Sequence, residues 1–461
     1  MIPKMLSGLR KKALKEENRD MLRLFWPVLT EQTLTVLIGM VSVMMVSSVG
    51  DFAVSGVNMV DNVNFMVIAV FSAFATGATV VVAQKIGAQK LKDAGVTAIQ
   101  SIVLCVITAM ILGAAVMLGG RPFLRLLFGD AAENVQEAAN IYFWYSGISY
   151  PFLGLFSACT GVMRAGGNTR TPMLASIMAN VVNIILAFVL IRMGMGVLGA
   201  SIAMLCARAV SGIFTLLMLR RGIRGFTLPR FQPRLSLQVL NPVLKVGVPS
   251  GVDSMIFNGA RVILIVFMAG MGTAALHANA IANSINSFIG LPGNALIIIS
   301  TTLVGQAYGA RQFRKVRSLM ARFCIFCSVL LGVMLVLTWF LANTIISLYG
   351  PSEETAGLAR RLVLTLAILA PFFWGFAFCV PQMLRACGDA KFTMYISICS
   401  LFTLRVAGAW FFGIYLGLGV YGVWMGMFID WIGRGAGFTI RAFTNAWNKG
   451  RPLIDNDELC I

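Results

Sequence analysis

Apolar and polar positions alternate along this chain on the scale of whole segments rather than single residues. Apolar runs of roughly 20 residues, long enough to cross a bilayer as helices, are separated by short polar or glycine-containing breaks. LTVLIGMVSVMMVSSVG at 34–50, SIVLCVITAMILGAAVML at 101–118 and CSVLLGVMLVLTWFLA at 327–342 belong to three of them. The pattern predicts about twelve spans, near 21–48, 54–84, 96–118, 138–163, 171–191, 196–219, 243–271, 274–306, 319–341, 361–383, 392–416 and 419–443. An all-α polytopic membrane protein follows, because in lipid each span must close its backbone hydrogen bonds within itself.

The polar breaks repeat. VAQKIGAQK (Val82 to Lys90) returns as VGQAYGARQ (Val304 to Gln312) at an offset of 222. LFWPVLTEQ meets KVGVPSGVDS, so Pro27 falls on Pro249 and Glu31 on Asp253. VGDFAVSGVNMVDNVNF meets MGTAALHANAIANSINSF, pairing Asp61 with Asn283 and Asn64 with Asn286. VMRAGGNTRTPM meets MLRACGDAKFTM, pairing Arg164 with Arg385 and Gly167 with Gly388, and GVLGASIAM meets GVYGVWMGM. The offset drifts only from 220 to 223, which marks one duplicated six-helix unit. Six is even, so both units enter and leave on one face and are parallel repeats about an axis along the membrane normal. The predicted halves are 1–225 and 226–461, joined by the basic stretch Leu219 to Leu235. Within the repeated words, Ala83-x-x-x-Gly87 and Gly305-x-x-x-Gly309 are small-residue pairs suited to close helix contact. Gln84 and Gln306 are expected to find hydrogen bonds near the boundary, with Lys85, Lys90 and Arg311 at the exit.

Composition agrees with lipid as the solvent: of 461 residues, 58% are hydrophobic and 12% charged, too few charges to cover a soluble surface. The net charge of +19 raises the question of nucleic acid, and its distribution answers it. With the N-terminus inside, 29 of 37 basic residues fall on inner segments, and the outer loops hold only Arg121, Arg125, Arg192, Arg360 and Arg361. That alternation is the positive-inside signature, so the expectation is a multi-pass plasma (inner) membrane protein with both termini cytoplasmic. Anionic lipid headgroups are the expected partners of the excess charge, not nucleic acid, and the chain is expected to be a monomer. The first span is too long for a removable signal peptide and lacks a small-residue cleavage site. Cys324 and Cys327 form a CxxC inside a span, without His or further Cys at ligand spacing, and read as buried small apolar residues.

The paired GATVVVAQKIGAQK and TTLVGQAYGARQ, the RAGGNTRTP and RACGDAKFT turns, and the two GV-x-G segments resemble the multidrug and toxic compound extrusion (MATE) transporters from about Leu22 to Lys449. The resemblance implies two pseudo-symmetric six-helix lobes around a central cleft. It implies export of amphiphilic small molecules, organic cations foremost, by antiport with H+ or Na+ and without another cofactor. The chain departs from the family's pattern at its acids. Similar members carry Asp in the first span where this chain has Ser42, and an acid after the Asn pair of span five where it has Ala187. Acids of some Na+-coupled members match Phe257 and Trp374. The familiar coupling residues are therefore missing.

Glu31 and Asp253 each follow a proline by four residues at equal depth in spans one and seven. An ionised carboxylate facing lipid there costs about 2.5–3.5 kcal/mol, so both should face the bundle or the cleft. Either they bind a coupling cation or exchange protons, with Asp61 as a third candidate, or they satisfy hydrogen bonds near a helix start. Asn58, Asp61 and Asn62 share a face of span two, and Asn279, Asn283 and Asn286 a face of span eight. Polar stripes of this kind face a water-filled cleft or another helix. Asn180, Asn183, Phe257 and Asn258 are further cleft candidates, and Met40, Met44, Phe65, Met66 and Phe288 offer adaptable apolar contact. Arg405 and Asp430 lie at similar depth on antiparallel neighbours, which predicts an ion pair, structural or coupling, that Arg434 could share. Arg208 and Arg261 have no partner evident from sequence, and His277, the only histidine, lies off the Asn stripe. One histidine and few paired acids argue against an enzyme, and no GxxxxGK[ST] segment is present to bind ATP. A lipid-linked precursor flippase and a non-transporting sensor on the same fold are the alternatives.

Overall fold

The computed structural model describes residues 2–129, 131–222, 235–444 and 446–448, which are helical nearly throughout. Spans one to four are Ile2–Ser47, Asp51–Gly87, Leu91–Phe128 and Glu133–Ala165. Span five, Arg170–Leu190, runs through a π-helical turn at Ile191–Met195 into a reversal at Gly194 and Gly196, and span six is Gly196–Arg220. Span seven is Leu237–Ala269, and span eight comes in two pieces, Thr273–Ile289 and Leu291–Gly309. Span nine is Phe313–Ser347, span ten Glu353–Ala386, span eleven Ala390–Tyr415 and span twelve Gly419–Phe443. The twelve predicted spans are therefore all present. The junction predicted between residues 225 and 226 lies outside the described residues.

Span eight departs from its prediction as one helix: its pieces meet at a bend of 48°. The cause is local, since Pro292 has no N–H to continue the ladder and sits in the first turn of the second piece, directly after Gly290 and Leu291. Elsewhere the duplication reaches down to single backbone angles. Gly167 and Gly388, one in each RA-x-G turn, take φ +76° and +94°. At the turns closing the repeated words, Gln89 and Arg311 both take left-handed φ, 62° and 56°, which costs a residue with a Cβ about 1–2 kcal/mol.

Each lobe buries its own core, but spans one and seven each cross over in part. Met21, Leu24, Phe25 and Val28 of span one lie in the core of the second lobe, where Phe25 meets Phe326 edge-on at 5.5 Å between ring centres. Span seven reciprocates, packing Val243 against Ala78 and Val81 of span two. The repeated polar words that close spans two, four, eight and ten lie on one face of the bundle, the basic face.

Candidate functional site

Contact between the lobes is concentrated in the half of the molecule nearest the basic face. Gln84 donates from Nε2 to the Ala386 carbonyl at 2.7 Å, and its repeat partner Gln306 donates to the Ala165 carbonyl at 2.7 Å. Each glutamine reaches across to the end of the other lobe's fourth helix. The accompanying glycines permit it: a Cβ on Gly87 would stand 2.0 Å from the Gln306 carbonyl oxygen, and one on Gly309 1.9 Å from that of Gln84. Gly77 and Gly247 bring spans two and seven together in the same way. Thr302 adds a bond to the Arg164 carbonyl at 3.0 Å, and Arg322 of span nine holds Glu17 at 2.8 Å. Among the described residues every hydrogen bond between the lobes lies in this half. The first piece of span eight packs instead within its own lobe, on spans seven, nine, ten and twelve. The lobes are clasped on the basic face and part toward the other.

Two salt bridges brace the clasp. Arg164 Nη2 meets Glu31 Oε1 at 2.6 Å, and Arg385 Nη2 meets Asp253 Oδ2 at 2.5 Å. The repeat aligns Glu31 with Asp253 and Arg164 with Arg385, and the fold joins each acid to the arginine of its own lobe. Ser176 adds a bond to Glu31 at 3.4 Å, and Arg385 Nε donates to Thr393 at 3.1 Å. Both arginines end the helices whose carbonyls receive the glutamines. Removing one partner strands a mostly buried charge. Glu31→Gln or Arg164→Gln alone is expected to destabilise the protein by about 2 kcal/mol, and the double variant by less than the sum, in thermal unfolding of detergent-solubilised protein.

The cleft half of the first lobe holds the third candidate acid. Asp61 Oδ1 accepts from Asn64 at 3.1 Å. Asn64 Oδ1 accepts from Tyr150 at 2.9 Å, and Arg208, whose charge bears on Asp61, donates to Ser149 at 2.7 Å. Asp61 makes no salt bridge among the described residues, unlike Glu31 and Asp253. Asp61 lies 10 residues into span two and Glu31 16 residues before the end of span one, about 15 and 24 Å by helical rise from the turn between them, and among the described residues no hydrogen bond or salt bridge joins Asp61 to either clasp acid. Asn58 and Asn62 are exposed beside it, joined by a bond from Asn62 to the Asn58 carbonyl at 2.9 Å. Asn180 is half-buried on span five, and Asn183 reaches Ser42 at 3.4 Å, so the position where the family's pattern has Asp carries a neutral hydroxyl–amide contact.

The second lobe holds the predicted trio. Asp430 is fully buried and takes Arg434 on Oδ2 and the Ser400 hydroxyl on Oδ1 at 2.5 Å. Arg405 stands further off, 4.0 Å from Oδ2. Phe257 lies under both guanidiniums, 5.0 Å from Arg405 and 5.7 Å from Arg434, so the position matching a coupling acid is an aromatic face for cations of the protein itself. Asn258 bonds back to the Ser254 carbonyl at 2.8 Å. Asn279 Oδ1 accepts from Asn283 at 2.9 Å and from the Trp424 indole at 3.1 Å, whereas Asn286 is half-buried further along the stripe. Sequence reasoning missed Tyr150, Ser400 and Trp424. Only the last left a readable signal, a lone indole in the GV-x-G segment that must find an acceptor when buried.

A duplicated bundle whose lobes meet at one face, part toward the other and line the gap with polar side chains is the architecture of a membrane transporter. The MatE family model matches residues 27–189 and again 249–411, once per lobe. Similar proteins include an uncharacterized transporter, YisQ, of Bacillus subtilis, 26% identical over 92% of this chain and 94% of that one. A probable multidrug resistance protein NorM of Thermotoga maritima is 25% identical over 96% of each. The crystal structure of a MATE protein in complex with MaL6 superposes with a TM-score of 0.86 at 22% identity, covering 94% of this chain and 97% of that one. The chain belongs to the MATE family, whose members are transporters rather than enzymes.

Proposed function

We propose that the protein is a secondary-active exporter of amphiphilic small molecules, organic cations among them, working by alternating access and antiport with H+ or Na+. The observation that carries this reading is the one-sided clasp: two pseudo-symmetric lobes in contact at one face and parted at the other are half of an alternating-access cycle. The basic face is taken as cytoplasmic in the plasma membrane, since 29 of 37 basic residues fall on that side. The structure then represents the state open to the outside. Asp61 is assigned the coupling role in place of the missing family acids. Glu31, Asp253 and Asp430 each hold an arginine in salt-bridge contact and Asp61 holds none among the described residues, so a proton or cation can join it without first breaking an ion pair. Glu31 and Asp253 are assigned to the gate, where separation of the lobes would load and unload the helix ends they hold.

The test is uptake of a fluorescent cation into inverted vesicles under an imposed pH or Na+ gradient. One gradient is expected to drive uptake, and Asp61→Asn to abolish it at an unchanged protein level. Gradient-driven uptake that survives Asp61→Asn would overturn the coupling assignment. Absence of any gradient effect would overturn antiport.

A further inference from the structure

The second lobe gathers three arginines, two of them buried, around one carboxylate. Asp430 is the single carboxylate among Arg261, Arg405 and Arg434, and its two oxygens are occupied by Ser400 and Arg434. Arg405 is 9% exposed, has no partner for Nε, and reaches Asp430 only at 4.0 Å. Arg261 has neither salt bridge nor hydrogen bond among the described residues. The two incompletely matched guanidiniums, Arg261 and Arg405, line one cavity of about 60 Å3 between spans seven, eight, eleven and twelve. Asn279 and Asn283 line it too, and no carboxylate does.

We propose that this cavity binds the anionic head, a carboxylate or phosphate, of an amphiphilic small molecule. Three features fit that chemistry. The wall is rich in donors: the Asn279 oxygen is already taken by Asn283 and Trp424, so its amide has the NH2 group to offer. A guanidinium held in a low-dielectric setting with an unused N–H gains most from a charge-assisted bond, and Arg presents a fork matched to an oxyanion. The remaining wall, with Leu264, Ile265, Met268 and Met427, receives an apolar body. Arg405 lies within the π-helical stretch Leu401–Val406, a local widening of span eleven of the kind that re-aims side chains at functional sites. The inference deepens the exporter reading by naming a group its cargo would carry, and it rests on that reading only for the anion being cargo.

The test is calorimetric binding of naphthoate, naphthyl phosphate and neutral naphthamide to the purified full-length protein in phosphatidylcholine nanodiscs. The two anions are expected to bind about tenfold or more tighter than the amide, and Arg261→Gln to erase the difference. Arg261 is exposed, so this substitution spares the core, and Arg405→Lys, which keeps the charge but loses the fork, is expected to weaken only the anions. Equal affinity for naphthoate and naphthamide, or a preference that survives Arg261→Gln, would overturn the proposal. Displacement of naphthoate by added phosphatidylglycerol identifies a lipid headgroup as the natural source of the anion. Lack of displacement identifies a soluble solute, and the site stands in both cases. No gradient is involved, so a protein that binds the anion but moves nothing would refute the exporter reading and leave this one intact.

Discussion

Gly309→Ala is expected to hold the lobes apart on the basic face and to cut transport steeply. The new methyl carbon would start 1.9 Å from the Gln84 carbonyl oxygen, and the obstacle is backbone on both sides rather than the tip of a flexible side chain. Overpacking of this kind costs about 3 kcal/mol, roughly a hundredfold in the population of the clasped state. Gly87→Ala, with the Gln306 carbonyl at 2.0 Å, is its counterpart in the other lobe and should act alike. Gly332→Ala in span nine, where a Cβ meets nothing within 4 Å, is the control that changes a helical glycine without touching the clasp. Amide hydrogen exchange over 82–90 and 304–312 reads the opening directly. Unchanged exchange and unchanged transport in Gly309→Ala would mean that the lobes do not depend on this approach.

Asp430→Asn is the substitution expected to cost the most stability. It leaves Arg405 and Arg434 buried around a neutral amide, with the rings of Phe257 and Phe378 as the compensating surfaces beside them. Breaking a buried pair from one side costs about 3–5 kcal/mol, because the surviving charge remains out of water. Adding Arg434→Met to Asp430→Asn removes the stranded charge beside it and is expected to restore a large part of the loss. Thermal unfolding of the solubilised protein, followed by the fraction remaining monodisperse, separates the single from the double variant. If the double variant is no better than the single one, Asp430 is held by something other than its charge.

How far the sequence reached differs between levels of the structure. The spans were legible because lipid leaves helix as the only way to close the backbone, and length then counts them. The trio Arg405, Asp430 and Arg434 was legible because equal depth on antiparallel neighbours and one helical turn of separation are both readable from spacing. Glu31 and Asp253 were recognised as equivalents, yet their partners were not. A repeat matches a residue to its copy in the other lobe, and says nothing about which residue 133 or 132 positions away in its own lobe will meet it. The reciprocal glutamine bonds were hidden for a related reason, since they depend on how two lobes dock. The bend in span eight was readable and was passed over: GLPG places a proline and two glycines inside an apolar run, but hydropathy carries no record of a missing N–H. Phe257 was expected at the cleft through its match to a coupling acid, and its neighbours proved to be arginines of the same lobe.

The clasp also carries a record of ancestry. Its two bonds are isologous: each half contains both the donor and the acceptor, Gln84 with Ala165 in the first and Gln306 with Ala386 in the second. That is the contact pattern of a twofold homodimer. Two separate copies of a single six-helix chain would make the same pair of bonds before any fusion joined them. The converse constrains later drift, because a change to the glutamine of one half is felt at the helix end of the other.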